Sequence, residues 1–264
     1  MFNLPSIPAI STGTSVPAEL FNRLIDWAIY AHDVQDVLAH NDPLTPDTKM
    51  HLRIRRCRLE GGGAMALAGN YAGNLDVSIE GCNGLDVLPV SVNSHYYVYL
   101  IGSDSDQDAI AERMSLLGSL SNDPSLPSGW SLRRRISSFC SDGSGYIRRF
   151  RQRNNHIIYT QNPLLTSGSG AVSRTALTLD ALVSPDAHTA GIRLRAYNGR
   201  TINIWTPGGS TAPALSACGL STHQGEGSGE VPVVSGAVEY EVIGSTGDYY
   251  VNVGGYYFPL DSQP

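Results

Sequence analysis

The chain of 264 residues contains one lysine, Lys49, so its other 17 basic residues are arginines. Charge is scarce altogether, at 16% of residues, and acids outnumber bases to give a formal net charge of −6. That balance excludes non-specific nucleic-acid binding by the whole chain. No apolar run approaches the roughly 18–20 residues that a bilayer-spanning helix needs, so membrane insertion is not expected. The four cysteines, Cys57, Cys82, Cys140 and Cys218, are widely separated. They form no CxxC and no Cys/His cluster at zinc spacing, which predicts free thiols packed as small apolar residues. Residues 1–15 hold neither Lys nor Arg nor a clean apolar core, so a secretory signal is not expected.

Catalytic signatures are missing as well. There is no GxSxG elbow, GxGxxG, Walker loop, HExxH or EF-hand. The run Asp104-Ser105-Asp106-Gln107-Asp108 opens like a calcium loop, since alternate carboxylates converge on a hard cation. It then fails, because Ala109 stands where glycine is needed and Ser115 where a bidentate Glu is needed. A solvated turn is the expectation. Neither an enzyme, a cofactor nor a metal site is expected.

What the chain does have is 28 Gly, 15 Pro and 13 Tyr, with short alternating segments between turn signals. That usage predicts a mainly β fold, an antiparallel β-sandwich or jelly-roll body, with one N-terminal α-helix. Residues 1–48 are read as an arm and amphipathic helix, and 49–264 as the β body, with a possible subdivision near 161–170. The helix opens at Pro17 with Ser15 as cap and ends near His40–Pro43. Its apolar positions Leu20, Leu24, Trp27, Ala31, Val34 and Leu38 step by four and three, the seam of a helix that either self-associates or anchors into a partner, or docks on its own β body.

Within the body, Met50–Leu59 and Leu75–Ile79 read as half-buried strands, and His95–Ile101 as a central one. Ala109–Leu120 reads as a short helix or irregular strand. Asp142-Gly143-Ser144 reads as a hairpin between Trp130–Phe139 and Gly145–Phe150. Pro207–Gly229 reads as a long exposed loop. Two arginine clusters stand out, residues 53–58 and 133–153. In the second, Arg133, Arg134, Arg135, Arg148, Arg149, Arg151 and Arg153 fall on strands expected to face each other across the hairpin. Like charges directly opposite are destabilising, so they are expected to be answered by carboxylates of a neighbour or another subunit, or to form a solvated face balanced by local Asp and Glu. Arginine is enriched at interfaces because its planar fork binds carboxylates in pairs, which makes these residues interface candidates.

Several of these segments form a set: Ser94–Ile101, Pro127–Trp130, Arg133–Ile136, Ser138-Phe139, Asp142–Ile147, Phe150, Gln152 and Ile157–Tyr159. Together they resemble a module of tailed-bacteriophage virion proteins, with its tyrosine-rich strand, Leu-Pro-Ser-Gly-aromatic turn, Arg-Arg-Ile strand and Asp-Gly-Ser-Gly hairpin. Here Trp130 stands for the usual tyrosine, Ser137 for a glycine, and Asn154-Asn155 for a Gly-Asp pair. The likeness spans about residues 60–160. It implies a non-enzymatic structural protein of the virion, such as a fibre, spike, collar or tail component, assembled in the bacterial cytoplasm. It also implies a homo-oligomer, a trimer by preference, docked to other virion proteins of the portal, collar, tail or capsid. Alternatives are a head that binds a host receptor or glycan, for which Trp205, Tyr249-Tyr250 and Tyr256-Tyr257 are candidates, and, at greater remove, a polysaccharide depolymerase.

Overall fold

A computed structural model describes residues 34–61, 64–103, 114–179, 181–208, 212–219, 224–244 and 247–259. Val34–Pro264 is one compact unit, and the chain divides just before it, after Asp33. The described residues are mainly β and contain no helix. The first strands are β1 (Val34–Gln35), β2 (Leu38–Asn41), β3 (Lys49–Gly61), β4 (Ala64–Asp76) and β5 (Gly84–Leu85). Then come β6 (His95–Gly102), β7 (Met114–Ser119), β8 (Leu132–Cys140), β9 (Phe150–Arg153) and β10 (His156–Tyr159). The rest are β11 (Leu164–Gly168), β12 (Val172–Thr178), β13 (Thr189–Ala196), β14 (Thr201–Trp205), β15 (Leu215–Cys218), β16 (Gly225–Pro232), β17 (Ala237–Ile243) and β18 (Tyr249–Tyr257).

Fourteen strands make one sheet, whose main path runs β16-β13-β18-β10-β9-β2-β3-β8-β6-β7-β5. A second sheet has the order β12-β17-β14-β15. Almost every pairing is antiparallel; β5 on β7 is parallel. Ile202, Ile204, Val238 and Val242 of the small sheet share one core with Ile192, Leu194, Val251 and Val253 of the large one. Strand β6 is buried along its whole length. Its two faces serve different clusters: Tyr96, Val98 and Leu100 enter the main core, while Tyr97, Tyr99 and Ile101 meet Leu117, Leu126 and Trp130. This is why its sequence reads as a continuous apolar run rather than an alternation.

Three expectations are corrected. Val34 and Leu38 lie on strands, not on a helix. Val37 and Ala39 are buried between exposed Asp36, Leu38 and His40, a period of two. Asp36 has φ +51°, which an α-helix does not accept. Residues 38–41 pair with β3, so the large sheet starts well before residue 49. Leu20, Leu24, Trp27 and Ala31 lie outside the described residues.

The stretch 207–229 is not simply a loop, because it holds β15 and the start of β16. Gly225 and Gly227 permit this. A Cβ on Gly225 would fall 1.9 Å from the carbonyl oxygen of Cys218, and one on Gly227 2.7 Å from that of Ser216. The alternating glycines let two backbones approach closely rather than loosen the chain.

The third correction concerns the hairpin. Its turn forms as expected: Asp142 Oδ1 accepts from the N–H groups of Ser144 (2.8 Å) and Tyr146 (3.0 Å), and Gly145 takes φ +79°. Beyond a bridge between Ser141 and Ile147 and one further bond from Arg148 N–H to the Cys140 carbonyl (2.9 Å), however, the arms separate. Ile147 N–H donates to the Asp47 carbonyl (2.8 Å) and Phe150 N–H to Asn41 Oδ1 (2.7 Å). Asn41 Nδ2 in turn donates to the Pro46 carbonyl at 2.7 Å. The Asn41 amide therefore hands β9 to β2, while β8 goes to β6.

Candidate docking face

The seven arginines of 133–153 do not face one another across a hairpin. They are distributed over three environments. Arg134 and Arg135 are buried on β8. Arg133, Arg148 and Arg149 reach local polar partners: Arg133 Nη2 lies 2.5 Å from Asp123, Arg149 Nη2 2.7 Å from Asp47, and Arg148 Nη2 3.4 Å from Asn93 Oδ1. Arg151 and Arg153 project to solvent from β9.

The topology then does what the sequence does not reveal. Strand β2 pairs with β3 on one side and β9 on the other, so the two arginine clusters meet on one sheet face. Leu38 is opposite Arg53 on β3 and opposite Arg153 on β9. His40 is likewise opposite His51 and Arg151. Strand β10 extends both rows, with His156 beside Arg153 and Ile158 beside Arg151. Along one row the order is His156, Arg153, Leu38, Arg53, Ala72; along the next it is Ile158, Arg151, His40, His51, Asn74. Arg55 lies two residues beyond Arg53 and is exposed.

The first row alternates cation and hydrocarbon from Arg153 to Ala72, and the second sets Ile158 beside Arg151. Leu38 and Ile158 are each 47% exposed and lie next to these arginines. Arg55 pairs with Asp36 at 3.3 Å, but both groups are well exposed, so the pair is weak. Among the described residues, Arg53, Arg151 and Arg153 make no ion pair. Strand geometry sets Arg151 about 7 Å from Arg153 and puts Arg53 about 10 Å from Arg153 across β2. Like charges ~7 Å apart repel by roughly 0.6 kcal/mol in a water-like dielectric. The fold tolerates that sum, and any carboxylate brought to the face relieves it.

One corner of the face is rigid. Asp42 Oδ1 accepts from the N–H groups of Leu44 and Thr45, both at 2.7 Å. The Thr45 bond leads the causes holding this carboxyl below the usual range, with burial acting against it. The other carboxylate oxygen, Oδ2, lies 2.7 Å from His51 Nε2, while His51 Nδ1 meets Asn74 Oδ1. The His51 ring thereby sits tilted against His40, with centroids 5.4 Å apart.

The buried arginine has a different task. Arg135 forks onto Asp186, with Nη1 on Oδ2 and Nη2 3.1 Å from Oδ1, and Nη2 also donates to Ser184 Oγ at 3.1 Å. Its guanidinium lies between the rings of Tyr97 (4.5 Å) and Phe258 (4.7 Å). Burial pushes the Asp186 carboxyl up, but the Arg135 bonds outweigh it and hold the group below its ordinary value. The pair fastens the 184–186 turn to β8. The Nη atoms are satisfied and only Arg135 Nε is left buried without a partner, so the pair acts as a structural tie. His95 lies nearby, 7% exposed and edge-on to Tyr97 at 4.8 Å. Burial first, and then the Arg135 charge, bring its pKa down to about 3, against the opposing pull of Asp186.

The aromatic candidates divide. Tyr249 and Tyr256 are core residues, and Tyr256 shares a 2.8 Å hydrogen bond with Ser138. Tyr250, Tyr257 and Trp205 are half-buried. Tyr257 is stacked by His156 at 3.9 Å, and Trp205 is covered by the Arg174 guanidinium at 4.3 Å. Asp104–Asp108 lies outside the described residues. Among the described residues, no three His, Cys, Asp or Glu side chains gather as a metal site.

No family model matches the chain, and no curated protein matches it. Comparison with solved structures finds a Bacillus thuringiensis Cry1Da tryptic core variant, 6% identical, covering 84% of this chain and 50% of that one, with a TM-score of 0.23. The chain thus spans about half the length of that structure, and a likeness so slight carries no argument.

Proposed function

We propose that this chain is a non-enzymatic structural protein of a tailed bacteriophage particle, a fibre, spike, collar or tail component that acts by docking to its neighbours. The observation that carries the docking part is the exposed face built from Arg53, Arg55, Arg151 and Arg153 around Leu38 and Ile158. Arg53, Arg151 and Arg153 have no ion-pair partner among the described residues. A solvated charged surface usually mixes signs, and arginines alternating with exposed aliphatics are the composition of an interface. The phage assignment is supported by the module resemblance over residues 60–160. The finer architecture belongs to the same proposal: a jelly-roll body, an N-terminal helix bearing Leu20, Leu24, Trp27 and Ala31, and a homotrimer attached to the virion through its N-terminal segment. The mechanism is burial of interface area, with charge setting orientation and partner choice.

The test is location. Particles banded on a density gradient from a lysate in which the gene is expressed in its native setting are analysed by peptide mass spectrometry. The proposal expects the chain in the particle band in near-integral ratio to the major capsid protein. Recovery only from the soluble fraction would refute it.

A further inference from the structure

The docking reading leaves the chemistry of the partner open, and the face itself is specific about it. We infer that the β10-β9-β2-β3 face receives a polypeptide segment in which carboxylates alternate with aliphatic side chains. This deepens the docking reading and rests on it for the claim that the face is an interface. Three features of the face select this occupant.

The first is the grid. In the two neighbouring rows, Ile158 sits beside Arg151, and Leu38 sits between Arg153 and Arg53. Every exposed aliphatic on the face therefore has a guanidinium as its immediate cross-strand neighbour. An occupant that answers both must offer an apolar group within ~5 Å of a carboxylate, the spacing of adjacent strands. A polypeptide does this easily with neighbouring side chains. A polyphosphate has nothing to lay over Leu38 and Ile158, and a sulfated glycan offers only its ring C–H faces between charged groups, so neither covers them as aliphatic side chains do.

The second is the cation itself. Every cation of the patch is an arginine, whose planar fork matches a carboxylate in two parallel hydrogen bonds and keeps its charge at any physiological pH. Histidines occupy two of the intervening positions, His40 and His51. His51 is already engaged by Asp42, so the corner that adjoins the arginines is preset rather than adaptable.

The third is charge complementarity. Net charge is −6, yet Arg53, Arg151 and Arg153 gather on this face with the Arg55–Asp36 pair beside them, so the remainder of the chain is more acidic than the total shows. Among the described residues, several carboxylates elsewhere are engaged locally: Asp47 by Arg149, Asp76 by Lys49, Asp123 by Arg133 and Glu239 by Arg174. Positive charge is left over on this face at Arg53, Arg151 and Arg153, and the partner supplies the negative charge.

The experiment uses the full chain and fluorescence anisotropy. Four probes are compared at low salt: a labelled peptide of alternating glutamate and leucine, a polyglutamate of the same length, heparin, and an oligothymidylate. The inference expects the alternating peptide to bind most tightly and to lose at least tenfold in affinity when salt is raised to several times the starting concentration. The double variant Arg53→Glu/Arg153→Glu should lose at least tenfold for both peptides. Leu38→Ser should lose severalfold for the alternating peptide and nothing for polyglutamate. All three positions are solvent-exposed, so the variants retain the fold, which urea unfolding verifies. Heparin or oligothymidylate binding as tightly as the peptide, with Leu38→Ser without effect, would overturn the inference in favour of a polyanion site. No peptide binding, or binding unchanged by the double variant, would overturn it outright. None of these outcomes depends on where the chain resides, so failure here leaves the particle-band test standing, and the reverse also holds.

Discussion

His95 makes the fold acid-sensitive in a way that one substitution isolates. Its ring is enclosed by Tyr97 at 4.8 Å and Tyr256 at 6.4 Å, and neither ring nitrogen has a hydrogen-bond partner. Protonation would place a second cation beside the Arg135 guanidinium in a dry site, which is why the folded pKa falls to about 3. In the unfolded chain the same group titrates near 6.5. Between those values the unfolded state binds a proton that the folded state refuses, so stability is lost as pH falls through 6.5 and the loss saturates near pH 3. At about pH 5 the gap is roughly 1.5 pH units, or about 2 kcal/mol. Urea unfolding of the wild type and of His95→Phe, each at about pH 7.5 and pH 5, measures this directly. The variant keeps an aromatic ring against Tyr97 and Tyr256 but cannot titrate. Whatever its absolute stability, its drop between the two pH values should be smaller than the wild type's by about 2 kcal/mol. A difference below about 0.5 kcal/mol would refute the reasoning.

Three further outcomes follow from the same structure. Asp186→Ala strands the buried Arg135 charge and should cost about 3 kcal/mol in urea unfolding, the low end of the range for broken buried pairs because Asp186 is about one-third exposed. The double variant Arg135→Met/Asp186→Ala should be less destabilised than Asp186→Ala alone. Gly225→Ala forces Cβ into the Cys218 carbonyl and should cost about 1–3 kcal/mol, whereas Gly170→Ala, with open space around it, should stay within about 0.5 kcal/mol. Asn41→Ala removes the acceptor for Phe150 N–H and the donor to Pro46, and should cost about 2 kcal/mol with faster amide exchange at Phe150.

The parts of the fold that were legible in the sequence are those set by local chemistry. The apolar run of β6 announces a strand buried on both faces, and Met50–Leu59 announces an alternating one. Asp142 and Gly145 specify their turn without help from distant residues. What was not legible depends on long-range partners. Val34 and Leu38 fit a helical period, and only β3, which supplies their ladder, sets a period of two that buries Val37 and Ala39 and exposes Leu38. The glycines of β16 read as loose chain until β15 is seen lying against them. The arginine face was half visible: both clusters stand out along the sequence, but the grouping drawn from it was wrong. Arg133–Arg135 turned inward or to local acids, while Arg53 and Arg55, far away in sequence, joined Arg151 and Arg153 through β2. The Asn41 clamp that redirects β9 gave no sequence signal beyond an asparagine after a histidine.

The central claim, that this face assembles the protein into a particle, is tested most directly by incorporation. Wild-type chain and the variant Arg53→Glu/Arg151→Glu/Arg153→Glu are supplied in equal amounts to an assembling lysate lacking the native copy, and both are quantified in the gradient-purified particle band. The account predicts that the wild type enters the particles and the folded variant is reduced at least tenfold. Equal incorporation of the two would contradict it.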